Sequence, residues 1–241
     1  MIGCLCLHGF TGAPWEVEPV VKKLKKNKDW LIYSPTLPGH GPGDDLKGAT
    51  YKAWIYAADK ACAELFKYCE KVYVVGFSMG GMLACYLSAR YPVEKVVLLG
   101  AAAYYVNPPQ LLKDFKIAAE ARLKGAFDNE DPWYQFYSKK IQETPLTAVY
   151  EFTKAVKTVR PFVKEITIPS LIMQGELDGL VPVKSAEYLF ENMGSREKRL
   201  YLYKDSRHYL CHGPDKKRVL DDLERFLKNE NKPRIQGGNE T

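Results

Sequence analysis

The sequence predicts an α/β protein whose mainly parallel central sheet is covered by helices on both faces. Short apolar runs rich in β-branched residues alternate along the chain with amphipathic segments of helical period. The run from Lys71 to Gly76 is typical of a strand buried on both faces, because valine and tyrosine fill it without polar alternation. Connections between segments are short, and neighbouring parallel strands need a crossover helix between them. The alternation therefore indicates a parallel sheet between two layers of helix.

Composition is consistent with one domain of this class. The chain has 241 residues, of which 46% are hydrophobic, and this suffices for a substantial core. The net charge of +6 is carried by scattered lysines and arginines, without a basic stripe interleaved with aromatic residues. We therefore expect a single domain over residues 1–241 and no nucleic-acid partner.

The N-terminal part of the chain divides into alternating strands and helices. The predicted strands are Ile2–Leu7, Trp30–Ser34, Lys71–Gly76 and Lys95–Gly100. The predicted helices are Pro14–Lys26, Thr50–Tyr68 and Gly81–Tyr91. Pro92 ends the third helix, and a loop rich in proline and glycine, from Pro35 to Gly48, follows the second strand.

The alternation stops over about residues 101–166. This region holds no good strand and instead carries amphipathic, aromatic-rich stretches punctuated by prolines. We expect a helical insertion that covers the carboxyl edge of the sheet as a lid, since ligands bind at that edge in open α/β sheets. The alternation then resumes with two strands and two helices, namely Pro169–Gln174, Val183–Asn192, Arg199–Tyr203 and Lys216–Lys228.

The turn Gly76-Phe77-Ser78-Met79-Gly80 links a buried strand directly to a helix. In this context a Gly-x-Ser-x-Gly sequence holds the serine hydroxyl above the sheet on a sharp, strained turn. Side chains at Gly76 and Gly80 would collide with the neighbouring strand or helix. Ser78 is therefore the predicted nucleophile, and a glycine-rich connection without chemistry is the alternative interpretation.

A serine hydroxyl needs a general base, and histidine is the residue type best suited to that role near neutral pH. The chain has four histidines, of which His8 and His40 precede the serine. His208 follows the last predicted strand, where a loop would return over the sheet edge, and His212 lies beyond it. His208 is favoured over His212 because it comes first after the strand end.

The acid that orients the base should follow the strand Pro169–Gln174, where Glu176 and Asp178 both lie. Asp178 is favoured because it sits deeper in the loop, and a helix-entry cap is its structural alternative. Asp205 is a weaker candidate because it is too close to His208 in sequence. The resulting order of serine, aspartate and histidine is the one expected of the α/β-hydrolase fold.

An oxyanion hole requires N–H donors beside the serine. Met79 supplies one candidate, because its backbone N–H follows the nucleophile at the start of a helix, where the dipole favours negative charge. The loop His8–Gly12 follows the first predicted strand, and the N–H of Phe10 is the second candidate. A plain glycine-rich turn is the alternative interpretation of this loop.

Taken together, the motifs of the chain resemble the α/β-hydrolase superfamily, and within it the small bacterial carboxylesterases and monoacylglycerol lipases. The motifs that carry the resemblance are His8–Gly12, Pro38–Gly41, Gly76–Gly81, Gly175–Asp178 with Val181-Pro182, and His208. The resemblance extends from Ile2 to about Lys228. A glycine often precedes the late histidine in this family, and Arg207 stands there in this chain, which leaves the polarity of the substrate open.

The resemblance implies a role for each candidate residue. Ser78 would be the nucleophile with Asp178 and His208 as its partners, and the N–H groups of Phe10 and Met79 would bind the oxyanion. The insertion would be a lid that lines an acyl pocket. The residues expected at the substrate are Phe10, Met79, Phe115, Phe127, Trp133, Phe136 and Tyr137. For the last five, which belong to the insertion, simple packing is the alternative interpretation.

Other classes of function find little support in the sequence. The early loop lacks the Gly-x-Gly-x-x-Gly spacing of dinucleotide sites, and no cluster of His, Cys or carboxylate residues has metal-ligand spacing. We therefore predict neither a cofactor nor a metal. The apolar run Ile2–Leu7 is too short to insert stably into a membrane. Six cysteines without a Cys-x-x-Cys pair, in a chain without a signal peptide, favour the reducing cytoplasm.

The sequence thus predicts a serine esterase that forms an acyl-enzyme on Ser78. Its expected partner is a small-molecule ester of a short- or medium-chain acyl group, with monoacylglycerols among the candidates. A thioesterase, an aryl or cinnamoyl esterase and a C–C bond hydrolase are alternatives on the same scaffold. A non-catalytic binding protein that keeps the fold is the alternative from another class. The oligomeric state, monomer or homodimer, stays open.

Overall fold

The computed structural model describes residues 1–104 and 144–229 of the chain. The strands in these residues form one six-stranded sheet in the order β2-β1-β3-β4-β5-β6, and all neighbouring pairs are parallel. Their bounds are β1 (Ile2–Leu7), β2 (Trp30–Tyr33), β3 (Lys71–Phe77), β4 (Lys95–Leu99), β5 (Ser170–Gly175) and β6 (Lys198–Tyr203).

The α-helices of the described residues follow the predicted pattern closely. They are α1 (Glu18–Leu24), α2 (Tyr51–Phe66), α3 (Met79–Arg90), α4 (Leu146–Val159), α5 (Val183–Asn192) and α6 (Lys216–Leu227). Short 3₁₀ helices occur at Pro14–Glu16, Leu46–Gly48 and Arg160–Glu165. No helix among residues 1–104 and 144–229 is long and apolar enough to cross a membrane.

The helix predicted from Pro14 to Lys26 is divided in the structure. A 3₁₀ turn over Pro14–Glu16 ends at Val17, and α1 begins at Glu18. The division has a physical reason, because Pro19 has no N–H with which to continue a helix that started at Pro14. Proline is tolerated in the first turn of a new helix, where its missing N–H would have no partner within the helix.

The two faces of the sheet have separate hydrophobic cores. One core contains Val72 and Val74 together with residues of α2, α3, α4 and α5. The other core contains Tyr73 and Val75 together with residues of α1 and α6. Alternate residues of β3 thus enter opposite cores, as the twofold period of a strand requires. The predicted parallel sheet with helices on both faces is confirmed.

The strand order creates a crevice between β1 and β3. The chain leaves β1 for the edge strand β2 and then returns to the opposite side of β1 to form β3. The loops after β1 and β3 therefore run in opposite directions at the carboxyl edge of the sheet, which is where such folds bind ligands. Because all strands are parallel, the loops after β4, β5 and β6 reach the same edge.

The expected insertion is described only in part. Residues 146–165 are helical, comprising α4 and the 3₁₀ helix that follows it, and no strand lies in the described parts of 101–166. Residues 105–143 lie outside the described residues. The lid over 101–166 and the single domain over 1–241 therefore stay predictions.

Lys95 joins the sheet to the last helix. Its ammonium group donates to the carbonyl oxygens of Phe226 and Leu227, at 2.8 and 2.9 Å, and to the side chain of Asn229. Burial lowers the pKa of Lys95. The cation nevertheless lies at the end of α6, where the carbonyl groups lack partners within the helix and the dipole favours positive charge.

We predict that Lys95→Met destabilises the fold by about 1–3 kcal/mol, because it removes the buried donor that bonds to the carbonyl oxygens of Phe226 and Leu227. Urea unfolding followed by circular dichroism measures this difference. Lys71→Met is the matched control, because Lys71 is exposed and makes only a 3.9 Å ion pair with Glu94. Equal stability of the two variants would contradict the prediction.

Candidate active site

Ser78 lies on the turn between the end of β3 and the start of α3. Its φ of 53° places a non-glycine residue in the left-handed region, which costs conformational energy. The turn is held from both sides. The N–H of Ser78 donates to the carbonyl of Leu99 at 2.9 Å, and its carbonyl accepts from the N–H of Gly81 at 3.0 Å.

The glycines on either side of Ser78 allow strand and helix to approach closely. A Cβ atom at Gly76 would overlap the carbonyl oxygen of Gly80, and a Cβ atom at Gly80 would overlap the carbonyls of Leu7 and His8. Backbone therefore packs directly on backbone at this point. The predicted steric requirement for glycine at both positions holds in the structure.

The structure brings Ser78, His208 and Asp178 together. The Nε2 atom of His208 lies 3.1 Å from the Oγ of Ser78, and its Nδ1 lies 2.7 Å from the Oδ2 of Asp178. The imidazole is 5% exposed. Since a carboxylate only accepts hydrogen bonds, Nδ1–H donates to Asp178, and Nε2 is left to accept the hydroxyl proton of Ser78.

The alternative acids and the alternative base lie elsewhere. Glu176 and Asp205 are exposed. His212 contacts the backbone carbonyl of Glu16, 3.1 Å from its Nε2. Arg207, beside the base, is exposed to solvent. Geometry therefore agrees with the choice of Asp178 and His208 over their rivals.

Asp178 is held by hydrogen bonds to both of its carboxylate oxygens. Its Oδ1 accepts from the N–H groups of Leu180 and Val181, each at 2.9 Å, and its Oδ2 accepts from the amide of Gln174 at 2.9 Å. Burial acts to raise the pKa of Asp178, but the charge and hydrogen bond of His208 and the two N–H groups hold this pKa below its ordinary value. The carboxylate is therefore ionised at neutral pH.

Gly100 leaves room for the histidine and the aspartate. It follows β4 with a φ of 53°, and a Cβ atom there would lie 3.4 Å from the Nδ1 of His208 and 3.7 Å from the Oδ2 of Asp178. A larger residue would be strained in this backbone conformation. Sequence reasoning missed Gly100 because glycine is common where a strand passes into a loop, whether or not a site lies nearby.

The loop after β1 lies against the serine. A Cβ atom at Gly9 would be 3.1 Å from the Cβ of Ser78. Three N–H groups of this loop are engaged: Gly9 donates to the Glu16 carboxylate at 2.8 Å, Thr11 to the ring of His40 at 3.2 Å, and Gly12 to the carbonyl of Gly9 at 3.3 Å.

The N–H of Phe10 stands between these engaged groups and has no acceptor in the described part of the chain. The same holds for the N–H of Met79, which is the first residue of α3 and precedes the first bonds within the helix. Both groups are thus available at the serine, as an oxyanion hole requires. Their assignment as oxyanion donors stays a prediction.

His8 and His40, which precede the serine in sequence, hold the loop after β1. The Nδ1 of His8 donates to the carbonyl of Gly9 at 2.9 Å, and its Nε2 accepts from the N–H of Leu37 at 3.0 Å. His40 accepts from Thr11 and donates from Nδ1 to the carbonyl of Pro38 at 2.9 Å. Each ring has one donor and one acceptor nitrogen, so both are neutral and connect this loop to the loop after β2.

Glu16 and Gln174 are two buried polar residues that sequence reasoning missed. Glu16 lies in the first turn of a helical segment, where an acidic residue is commonly a partner of the helix dipole. Gln174 directly follows the apolar run Leu171–Met173 in β5, and a polar residue in this buried strand was the available signal. Their contacts place Glu16 at the loop after β1 and Gln174 at the acid.

The expected substrate-binding residues have different outcomes. The ring of Phe10 stacks on Phe152 of α4, with centroids 4.9 Å apart, and meets Trp54 edge-on at 5.7 Å. The side chain of Met79 is wholly buried in the core, so only its backbone faces the site. The remaining expected residues lie outside the described residues, namely Phe115, Phe127, Trp133, Phe136 and Tyr137.

Within residues 1–104 and 144–229, no group of three or more His, Cys, Asp or Glu side chains could hold a metal ion. The six cysteines are all free and buried. The site is therefore described by its serine, histidine and carboxylate together with the backbone around them.

A serine, a histidine and an aspartate joined by hydrogen bonds at the strand ends of a parallel sheet are typical of serine hydrolases of the α/β-hydrolase class. The chain belongs to the family described as serine aminopeptidase, S33, whose model matches residues 3–215. It is an enzyme of this class, and the predicted resemblance to carboxylesterases and monoacylglycerol lipases is confirmed by its relatives.

The relatives match nearly the whole chain at modest identity. A thermostable monoacylglycerol lipase of Bacillus sp. strain H-257 is 26% identical over 236 residues, which cover 95% of this chain and 91% of the relative. A carboxylesterase of Bacillus subtilis strain 168 is 22% identical over 231 residues, covering 93% and 91%.

A solved structure supports the fold. It comes from work on LipS and LipT, two metagenome-derived lipolytic enzymes, and superposes with a TM-score of 0.77 at 22% identity. The superposition covers 95% of this chain and 94% of that chain. The α/β-hydrolase fold predicted from the sequence is thereby confirmed.

Proposed function

We propose that the protein is a carboxylesterase that hydrolyses esters of short- to medium-chain acyl groups, with monoacylglycerols among its substrates. The observation that carries the proposal is the buried chain of hydrogen bonds from Ser78 through His208 to Asp178. This chain contains a nucleophile, a base with the acceptor nitrogen toward the hydroxyl, and an ionised carboxylate that fixes the base.

In the first half of the reaction, Ser78 attacks the ester carbonyl as His208 takes the hydroxyl proton. A bond forms between Oγ and the carbonyl carbon, and the carbonyl electrons move onto oxygen. Collapse of this intermediate breaks the bond to the alcohol, which leaves with the proton held by His208. Asp178 keeps its charge throughout and stabilises the imidazolium.

In the second half, water attacks the acyl-enzyme and gives its proton to His208. The acid leaves, and the same proton returns to Ser78. Negative charge develops on the former carbonyl oxygen in both halves. The N–H groups of Phe10 and Met79 would bind it, and the bonds that hold Gly9 and Thr11 support the position of Phe10 in advance.

Two features support an ester with an apolar acyl group. The ring of Phe10, on the loop that lies against Ser78, stacks on the ring of Phe152 and gives this loop an apolar side chain. The two relatives named above are a monoacylglycerol lipase and a carboxylesterase.

We predict that Ser78→Ala abolishes hydrolysis of p-nitrophenyl butyrate while the fold persists, because it removes the nucleophile. The expected loss in kcat is on the order of 10⁶-fold, the scale known for removal of a catalytic serine. The assay is p-nitrophenol release, with circular dichroism as the check on folding.

Ser88→Ala is the matched control for this experiment. Ser88 lies on α3, is buried, and its hydroxyl has no hydrogen-bond partner in the described residues. Its loss should leave both activity and stability unchanged. Retained turnover in Ser78→Ala would overturn the proposed nucleophile.

We predict that Asp178→Asn lowers kcat by about 10³–10⁴-fold, because an amide can hold His208 in the wrong tautomer. Steady-state kinetics with p-nitrophenyl butyrate measures this loss. Glu176→Gln is the control, because Glu176 is exposed in the same loop and should tolerate the same change. If Glu176→Gln lost activity and Asp178→Asn kept it, the assigned acid would be wrong.

The same assay separates the rival substrate classes. Thioesters, cinnamoyl esters, vinylogous diketones and aminoacyl anilides are compared with simple acyl esters and monoacylglycerols at equal concentration. The proposal requires the highest kcat/KM on the acyl esters. Labelling by a fluorophosphonate at Ser78 distinguishes all of these hydrolases from a binding protein that keeps the fold without turnover.

A further inference from the structure

Gln174, a residue of β5, contacts the carboxylate of Asp178. It is the penultimate residue of β5 and is fully buried. Its Nε2 atom lies 2.9 Å from the Oδ2 of Asp178, 3.0 Å from the carbonyl oxygen of Val181 and 3.3 Å from that of Gly175. Asp178 Oδ2 is also the oxygen that accepts from His208.

Chemistry fixes the orientation of this amide. The two nearest groups, a carboxylate oxygen and a backbone carbonyl oxygen, accept hydrogen bonds and cannot donate them. Rotating the amide by 180° would put its own oxygen against both, so the NH₂ group must face Asp178. The other end of the amide, Oε1, is buried and has no partner in the described residues.

The Oε1 atom of Gln174 helps to decide whether this side chain serves for packing or as a hydrogen-bond donor. A buried acceptor without a partner is unfavourable, and an unbranched apolar side chain such as methionine would fill the same space without it. Packing alone therefore gives no reason for glutamine at this position. The N–H groups, which reach the carboxylate of Asp178 and the carbonyl of Val181 in the loop after β5, are what glutamine adds.

We propose that Gln174 is a positioning residue for the reaction: its amide orients the carboxylate of Asp178 and shares Oδ2 with His208. The inference rests on the proposed function and deepens it. A carboxylate with fewer donors attracts the proton on His208 more strongly and can turn about its Cβ–Cγ bond. Gln174 thus limits how strongly Asp178 stabilises the imidazolium of His208, and it also limits rotation of the Asp178 carboxylate.

Few other titratable groups surround this pair. Ser78 reaches His208 from the turn after β3, and Tyr209 follows it on the loop after β6, with ring centroids 5.9 Å apart. Glu16 accepts from the N–H of Gly9, and a Cβ atom at Gly9 would lie 3.2 Å from its Oε2 and 3.1 Å from the Cβ of Ser78. Gly100 and the N–H groups at Leu180 and Val181 bring no charge. The other carboxylate of the loop after β5, Glu176, is exposed to solvent, so a change at Gln174 acts on the pair without a second buried charge on that loop.

The test is the rate at which a fluorophosphonate labels Ser78, measured against pH in wild type and Gln174→Met. We expect labelling of Gln174→Met to be about tenfold slower, the scale of one lost hydrogen bond to a charged group. The midpoint of the acidic limb should rise by about half a pH unit or more, because the carboxylate then holds the imidazolium more strongly. Ile172→Val, a conservative change on the same strand, should alter neither quantity.

Two further variants keep the test decisive. Gln174→Leu also lacks a donor and should raise the midpoint in the same direction as Gln174→Met; it replaces Gln174→Met if that variant does not fold. In an Asp178→Asn background, Gln174→Met should have little further effect on labelling, since the carboxylate on which it acts is absent.

The outcomes separate this inference from the proposed function. An unchanged midpoint in the Gln174 variants, whatever their rates, would overturn the positioning role and leave the esterase intact. A tenfold loss that persists in the Asp178→Asn background would also overturn it. Failure of the folded wild-type protein to label at Ser78 would instead overturn the proposed function itself.

Discussion

The close approach of β3 and α3 is the constraint on which the site depends. Two glycines let the backbone of the helix rest on the backbone of the strands, and Ser78 is forced into a left-handed conformation between them. The strain is sustained because the N–H and the carbonyl of Ser78 are both bonded to neighbouring elements. The hydroxyl therefore stands at one fixed place above the sheet.

The remaining groups reach that place because every strand ends at the same edge. His208 follows β6, Asp178 follows β5, and the loop with Phe10 follows β1. Each arriving group is held by polar contacts behind it, such as Gln174 behind Asp178 and Glu16 behind Gly9. Such support reduces the reorganisation needed when charge develops during a reaction.

The sequence was sufficient to predict the strands and their alternation with helices, and it singled out three residues that the structure brings together. Strand ends can be predicted from apolar runs, and Ser78, Asp178 and His208 each follow such an end in the chain order of the class. The division of the first helix was missed, because the pattern of valines continues through Pro19 while the hydrogen bonds do not.

The supporting residues could not be predicted because their roles depend on contacts across loops. His8 bonds to Leu37 and His40 to Thr11, each pair 29 residues apart, and no period in the sequence relates them. Gln174 looks like any polar residue at a strand end until the loop after β5 is folded over it. The acyl pocket was predicted mostly from residues 105–143, so that part of the site stays a prediction.

The central claim is that Ser78 carries the acyl group during turnover. The direct measurement is acid quenching of p-nitrophenyl butyrate hydrolysis within the first turnovers, followed by peptide mass mapping of the protein. We expect a butyryl group on the peptide that contains Ser78, which disappears when the labelled protein is returned to neutral buffer. Product release without any acylated peptide, or a butyryl group on a different residue, would contradict the account.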